Sequence, residues 1–190
     1  MKPRSGDSPR VPLIVGFTGH RKVADPGGAQ AAIAAAIRRM LAAAGGAMAA
    51  VSSAASGADT LFVEAALAQG LPWSLLLPLP LEEFRKDFDA AGCRRLEELQ
   101  QRAGRTLVEP PQPTRDDAYL ACGRRTVDES DAMIAFWDGR EAAGMGGTAD
   151  IVAYVRRQRK PLLWVHAATG AITEERLEGL RAAGRGRAAP

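Results

Sequence analysis

The sequence has 190 residues, of which 46% are hydrophobic and 25% charged, so it can bury a sizeable core and has the composition of an ordinary soluble protein. Its two cysteines, Cys93 and Cys122, form no Cys-x-x-Cys pair, and we expect no disulfide framework, no metal and no cofactor. The net charge of +3 comes largely from the two ends, which we interpret as solvated tails rather than nucleic-acid-binding arms. No apolar run approaches the ~20 residues of a membrane span and no signal peptide is evident, so we expect a cytoplasmic protein that does not enter the membrane.

Short apolar runs alternate with longer amphipathic segments along the chain. A short apolar run bounded by turn residues predicts a buried strand, and apolar residues three and four apart predict a helix packed on a sheet. In chain order, the predicted strand and helix pairs are 11–19 and 29–45, 47–53 and 57–70, 73–79 and 81–104, 105–110 and 115–130, 131–138 and 146–160, and 161–166 and 173–184. The long charged helix at 81–104 has a possible break near Gly92.

Strands that are apolar on both sides and separated by helices are typical of a parallel sheet covered on both faces. The pattern therefore predicts an α/β fold: a Rossmann-like three-layer α/β/α sandwich with a mostly parallel central sheet of about six strands. We expect one domain over 11–184. Residues 1–10 and 185–190 have the small, charged and Gly/Pro-rich composition of a disordered N-terminal tail and a flexible C-terminal tail.

The turn after the first strand has the sequence GFTGHRK. In an open parallel sheet, ligands bind outside the carboxyl ends of the strands, so this turn is a candidate binding site. Arg21 supplies a planar cation that suits phosphate, and the glycines allow a tight turn. The turn matches neither G-x-G-x-x-G nor a Walker loop, which argues against an ordinary nicotinamide site or an ATPase. The candidate ligand-binding residues here are Gly16, Thr18, Gly19, His20 and Arg21.

The turn after the second strand, SSAASGADT, also carries candidate residues. Ser56 or Ser52 is expected to cap the next helix, and Gly57 would let the backbone approach a ligand. Asp59 either complements the helix dipole in the first turn or contacts a ribose hydroxyl.

The segment GMGGTADIV, at 144–152, places three glycines between the fifth strand and the next helix. Gly146 and Gly147 let the backbone curl, and Thr148 begins the helix. Exposed amides at a helix start, with the helix dipole behind them, form an anion site, so we expect a phosphate cradle rather than a plain connector. Asp138 directly follows the fifth strand and is a further candidate for a polar contact.

These motifs, together with LPLPLEEFRKDF and YLACGRRTVDESDAMIAFWDG, occur in the order seen in the SMF/DprA–LOG superfamily. Over roughly 11–166 the chain resembles the small stand-alone branch with a T-G-H-R turn, whose members share the SLOG Rossmann-like domain. The resemblance implies a nucleotide or nucleotide-derived ligand, a pocket lined by 18–21 and 146–148, and a possible homodimer. It departs from the second motif at Ser53, where the family has glycine.

The resemblance leaves the activity open. The LOG branch cleaves the base from nucleoside 5′-monophosphates with a glutamate three residues after the motif threonine, where this chain has Ile151, which can handle no proton. Asp150 is turned by ~100° from that position, and Glu141 or Asp138 could substitute only from the loop. We therefore rank a nucleotide-binding sensor module first and a LOG-type N-glycosidic hydrolase second. DprA-like nucleic-acid binding comes third, because aromatic residues make up only 5% of the chain.

Overall fold

The structure, a computed structural model, describes residues 11–141, 146–178 and 180. The predicted tails at 1–10 and 185–190, and the motif glycine Gly144, lie outside the described residues. Within them the chain forms a seven-stranded sheet with the strand order β4-β3-β2-β1-β5-β6-β7. The strands are β1 Leu13–Gly19, β2 Met48–Ser52, β3 Trp73–Leu77, β4 Arg105–Val108, β5 Ala132–Trp137, β6 Leu162–His166 and β7 Ile172–Glu175. All neighbours pair in parallel except β6 and β7, which are antiparallel.

Helices cover both faces of the sheet, which makes the three-layer sandwich that the sequence predicts. They are α1 Pro26–Ala43, α2 Ala58–Ala68, α3 Leu81–Phe84, α4 Ala90–Gln101, α5 Arg115–Asp128 and α6 Thr148–Arg157. Buried residues of α1, α2 and α4 share one core cluster, and those of α6 share another with the end of α5. The central strand β5 contributes to both clusters by alternation, with Ala132, Ile134 and Phe136 on the first side and Met133, Ala135 and Trp137 on the second.

The strand order positions the site. From β1 the chain builds outward in one direction through β2, β3 and β4, and it then returns to the other side of β1 with β5. The helices that connect β1 to β4, namely α1 to α4, therefore lie on one face, and α5 and α6, which lead into and out of β5, lie on the other. A crevice opens between the carboxyl ends of β1 and β5. Such a switch point is where open α/β sheets bind ligands.

Two predicted helices are corrected by the structure. The predicted start of the last helix at residue 173 is wrong, because the chain turns back after β6 and Ile172–Glu175 pairs along it as an edge strand, and the described helical residues of that segment are Glu178 and Leu180. The turn is closed by the His166 amide, which donates to Ala171 O at 2.8 Å. The predicted helix at 81–104 is broken at Phe88, whose backbone is extended, and α4 restarts with Asp89 as its N-cap, accepting a hydrogen bond from Gly92 N at 2.7 Å.

Candidate functional site

A pocket of about 230 Å³ opens at the switch point between β1 and β5. Its walls come from the turn after β1, the turn after β2, the start of α6 and one face of α5. The predicted site residues that line it are Thr18, Gly19, His20, Arg21, Asp59, Gly146, Gly147 and Thr148. The structure thus brings together residues from three turns, of which the first and the last are more than 120 positions apart along the chain. That these residues bind a ligand stays a prediction.

Other predicted site residues do not line the pocket. Gly16 lies inside β1, where an added Cβ would stand 2.4 Å from Met133 Sδ and from Ser130 Oγ, so this glycine serves close packing. Ser56 is exposed, and the prediction that it or Ser52 caps α2 is wrong, because the N-cap is Gly57 without any side-chain cap. Ser52 is instead fully buried at the end of β2.

Gly57 supports the turn after β1. Its φ is +94°, and an added Cβ would lie 2.3 Å from Arg21 O and 2.7 Å from His20 O. The next amide, Ala58 N, donates to His20 O at 3.0 Å. The close approach that this glycine permits is therefore to the neighbouring turn, and it clamps the backbone of His20 and Arg21 beside the pocket.

His20 joins the turn after β1 to the end of β5. Its amide donates to Phe136 O at 3.3 Å, and its Nε2 accepts a hydrogen bond from Asp138 N at 3.0 Å. The Asp138 carboxylate accepts a hydrogen bond from Arg140 N at 3.0 Å, and this bond is the main reason why its pKa lies below the usual value. Asp138 therefore orders the turn after β5 and orients His20, while standing outside the pocket lining.

The N-terminus of α6 faces the pocket. Gly147 is the N-cap and makes no side-chain cap, and the first amides of any α-helix have no partner within it. Thr148 is only 9% exposed, yet its hydroxyl has no hydrogen-bond partner within the part of the chain that the structure describes. Gly146 N donates to Asp150 Oδ2 at 2.9 Å, so that amide is already satisfied. The donors that remain, at the positive end of the helix dipole, suit an anion.

Arg21 brings a second positive group to the pocket. Its guanidinium lies over the Tyr119 ring, 4.3 Å from the centroid. It makes neither a hydrogen bond nor an ion pair with any residue in the described ranges. The Tyr119 ring is held in position, because its hydroxyl donates a hydrogen bond to Asp87, which also pairs with Arg115. The ring thus holds the cation in place without using its N–H donors.

Asp59 is the acidic group of the pocket. Its Oδ1 accepts hydrogen bonds from Ser52 Oγ at 3.3 Å and Ser53 Oγ at 3.2 Å. Ser53, the residue that departs from the family glycine, thus has a partner here. Burial outweighs these bonds and the nearby charge of Arg21, and it raises the pKa of Asp59 from 3.8 to about 7. A buried carboxyl of this kind in a cleft is a marker of functional sites.

One wall of the pocket, formed by α5, is absent from the predicted site. The residues it contributes are Tyr119, Cys122, Gly123 and Thr126. Their spacing of three and four residues on a predicted helix was the signal that could have found this face. Cys122 is 3% exposed, and burial raises the pKa of its thiol, so it is a neutral wall residue rather than a nucleophile.

Ile151 completes this side of the pocket. It is 3% exposed, and its Cδ1 would lie 2.5 Å from a Cβ placed on Gly123, so α5 and α6 pack together through this pair. Hydrocarbon therefore occupies the place where the LOG pattern has its glutamate. Among the described residues, no group of three metal-binding side chains occurs, and no helix has both the length and the hydrophobicity to span a membrane.

The comparisons with known proteins bear on the fold. Neither the protein-family models nor the curated proteins contain a match to this chain. Solved structures do match, among them DNA processing protein A from Helicobacter pylori, described with a unique single-stranded DNA binding mode, at 22% identity and a TM-score of 0.57. DNA processing protein A from Streptococcus pneumoniae matches at 17% identity and a TM-score of 0.56.

Both matches cover 91% of this chain, which spans 74% of the Helicobacter protein and 57% of the Streptococcus protein. At this level of identity the likeness establishes a shared fold. It confirms the Rossmann-like architecture that the DprA resemblance implied, and it leaves the ligand to be argued from the pocket.

Proposed function

We propose that the pocket binds the phosphate of a nucleotide-derived ligand, so that the protein acts as a ligand-binding module. One observation carries the proposal: Arg21 and Thr148 bring hydrogen-bond donors that no described residue accepts to the same pocket as the N-terminus of α6. Arg21 is exposed, and neither its guanidinium nor the Thr148 hydroxyl has a partner among the described residues, so a phosphate beside the helix dipole could replace the water around both groups.

The size of the pocket limits what it can enclose. Pockets that bury a drug-sized ligand usually measure about 300–1,000 Å³, whereas this one measures about 230 Å³. That volume suits a phosphate with the sugar attached to it. A base would then project to the rim, where contacts are fewer, so we expect affinity to depend more on the phosphate than on the base.

The test is a calorimetric titration with sulfate, phosphate, the four common nucleoside 5′-monophosphates and the corresponding unphosphorylated nucleosides. We expect all the phosphorylated compounds to bind and the unphosphorylated nucleosides to bind far more weakly. Arg21→Ala should weaken binding about 10- to 100-fold, the value of a charge-assisted hydrogen bond. Arg157→Ala is the matched control, because Arg157 also stacks on a tyrosine, Tyr154, but stands at the opposite end of α6. Equal effects of the two variants, or no binding of any anion, would refute the proposal.

A second candidate, single-stranded DNA binding, is favoured by the similar solved structure for which that activity is described. In this case the pocket would take one phosphate of a strand, and flanking phosphates would meet the surrounding surface. A labelled deoxythymidine oligomer separates the candidates. A strand binder gives an affinity that rises with oligomer length and falls steeply with salt. A nucleotide binder prefers the mononucleotide. Its affinity should depend less on salt, because a mononucleotide releases fewer counterions than a strand does.

The hydrolase alternative rests on the same pocket and has its own assay. Incubation with nucleoside 5′-monophosphates, followed by chromatography for free base, is expected to show no turnover, because Ile151 offers no carboxylate at the LOG position. Release of free base would restore that alternative and point to another carboxyl group. The homodimer stays a prediction, which light scattering of the purified chain would test.

A further inference from the structure

We propose that Asp59 accepts hydrogen bonds from the sugar hydroxyls of the ligand, so that the site takes a ribose phosphate in preference to a deoxyribose phosphate. The inference rests on the proposed phosphate site and adds the chemical class of the group attached to the phosphate. It is carried by the place of Asp59 in the pocket and by the acceptor capacity that its protein partners leave open.

The place of Asp59 is set by the sheet. Asp59 follows β2 and Thr148 follows β5, and these strands flank β1 on either side. Because β2 and β5 are separated by twice the distance between neighbouring strands, the pocket walls that carry Asp59 and Thr148 lie about 10 Å apart. A phosphate in contact with the α6 amides fills part of that width. The remainder corresponds to one furanose ring, which brings the sugar hydroxyls, rather than the base, to the Asp59 wall.

The carboxyl group of Asp59 suits a hydrogen-bond donor of the ligand and disfavours the ligand's phosphate. A carboxylate repels phosphate, so it cannot serve as part of the phosphate cradle beside Arg21. It offers about four acceptor positions, and the donors that reach it, Ser52 Oγ and Ser53 Oγ, both use Oδ1. Capacity therefore remains for a hydroxyl donor that enters from the pocket.

A purely structural role explains Asp59 less well. It is not the N-cap of α2, because Gly57 holds that position without a side-chain bond. The Ser52 hydroxyl is also held independently of Asp59, because it accepts a hydrogen bond from Ala54 N at 3.1 Å. A carboxyl that is only 8% exposed, and that lines a cavity, costs stability unless something in that cavity uses it.

The test uses three probes at pH 8: inorganic phosphate, 2-deoxyribose 5-phosphate and ribose 5-phosphate. We expect the wild-type chain to bind ribose 5-phosphate about 10-fold or more tightly than the deoxy compound, since a site built for a hydroxyl discriminates against its absence. Asp59→Asn should remove most of this discrimination and leave phosphate binding in place or stronger. Asp89→Asn is the matched control, because it removes one carboxylate from an exposed N-cap that asparagine also fills.

The outcomes separate this inference from the proposed function. If none of the probes binds, the phosphate site itself is refuted. If phosphate and both sugar phosphates bind equally to the wild-type chain, the phosphate site stands and the role of Asp59 is refuted, whether or not the variant folds. Unchanged discrimination in a folded Asp59→Asn variant would also overturn the inference.

Discussion

Replacing Asp59 with asparagine is expected to stabilise the fold at neutral and alkaline pH. In the native protein burial raises the pKa of this carboxyl from 3.8 to about 7, so the folded state holds the proton more tightly than the unfolded state does. Stability contributed by the protonated group is therefore lost as pH rises from about 4 to about 7. The shift corresponds to about 4 kcal/mol at 1.36 kcal/mol per pKa unit. Asparagine carries no charge and escapes this loss.

Urea unfolding of both proteins at several pH values between 4 and 8, followed by circular dichroism, measures the effect. Other titrating groups are common to both chains and cancel in the difference in unfolding free energy. That difference should grow in favour of Asp59→Asn by about 4 kcal/mol across the interval and level off above pH 7. Any change in hydrogen bonding on going to asparagine shifts the whole curve without altering its slope. A difference that stays constant with pH would show that the Asp59 carboxyl is not desolvated, and the reasoning about the pocket would fail with it.

The remaining predictions concern other groups around the pocket. Thr148→Val keeps the shape of the side chain and should leave stability within about 0.5 kcal/mol while phosphate affinity falls about fivefold; calorimetry that shows no loss of affinity contradicts the role of the hydroxyl. Gly57→Ala and Gly46→Ala place a side chain at a φ of +94° and +93°, respectively, but only the alanine at 57 meets a backbone oxygen. Gly57→Ala should therefore lower the unfolding free energy by about 2 kcal/mol more than Gly46→Ala. Equal losses in urea unfolding would mean that the backbone of the turn after β1 is not packed tightly against Gly57. For Tyr119, phosphate affinity should decrease in the order Tyr, Phe, Leu, because Phe keeps the ring under Arg21 and Leu does not; a Leu variant that binds like wild type rules out that support.

The sequence was sufficient to predict the layered fold, because the inner strands of its sheet are largely apolar and buried. Runs such as AMIAFW, at β5, have no exposed face, which allows only a sheet covered on both sides. The sheet edge was harder to predict. The last strand, ITEE, is polar and short, so the sequence favours a helix from residue 173, whereas the described helical residues are Glu178 and Leu180. The break predicted near Gly92 lies at Phe88, because its cause is a single extended residue before a capping aspartate.

The site was predicted to the extent that it lies in turns. Glycine-rich turns after strands are visible in a sequence, and the parallel sheet brings their ends together. The α5 wall was missed because its members are separated by helical spacing inside a segment that reads as an ordinary amphipathic helix. Tyr119 shows the difficulty: its importance comes from the ring beneath Arg21, a residue about a hundred positions away, and no local pattern reports such a contact.

The same motifs contain two kinds of residue that only the structure separates. The hydrogen bonds of His20 and the close contacts of Gly57 hold one turn against the next. Arg21, beside His20 in the turn after β1, and Thr148, at the start of α6, have donors without a partner among the described residues. A residue of the first kind should reduce stability when replaced, and one of the second kind should reduce affinity alone, since nothing in the protein depends on its donors. The contrast between Gly57→Ala and Thr148→Val therefore tests more than two positions, because it asks whether donors without a partner among the described residues, beside a helix N-terminus, identify a ligand site in this fold.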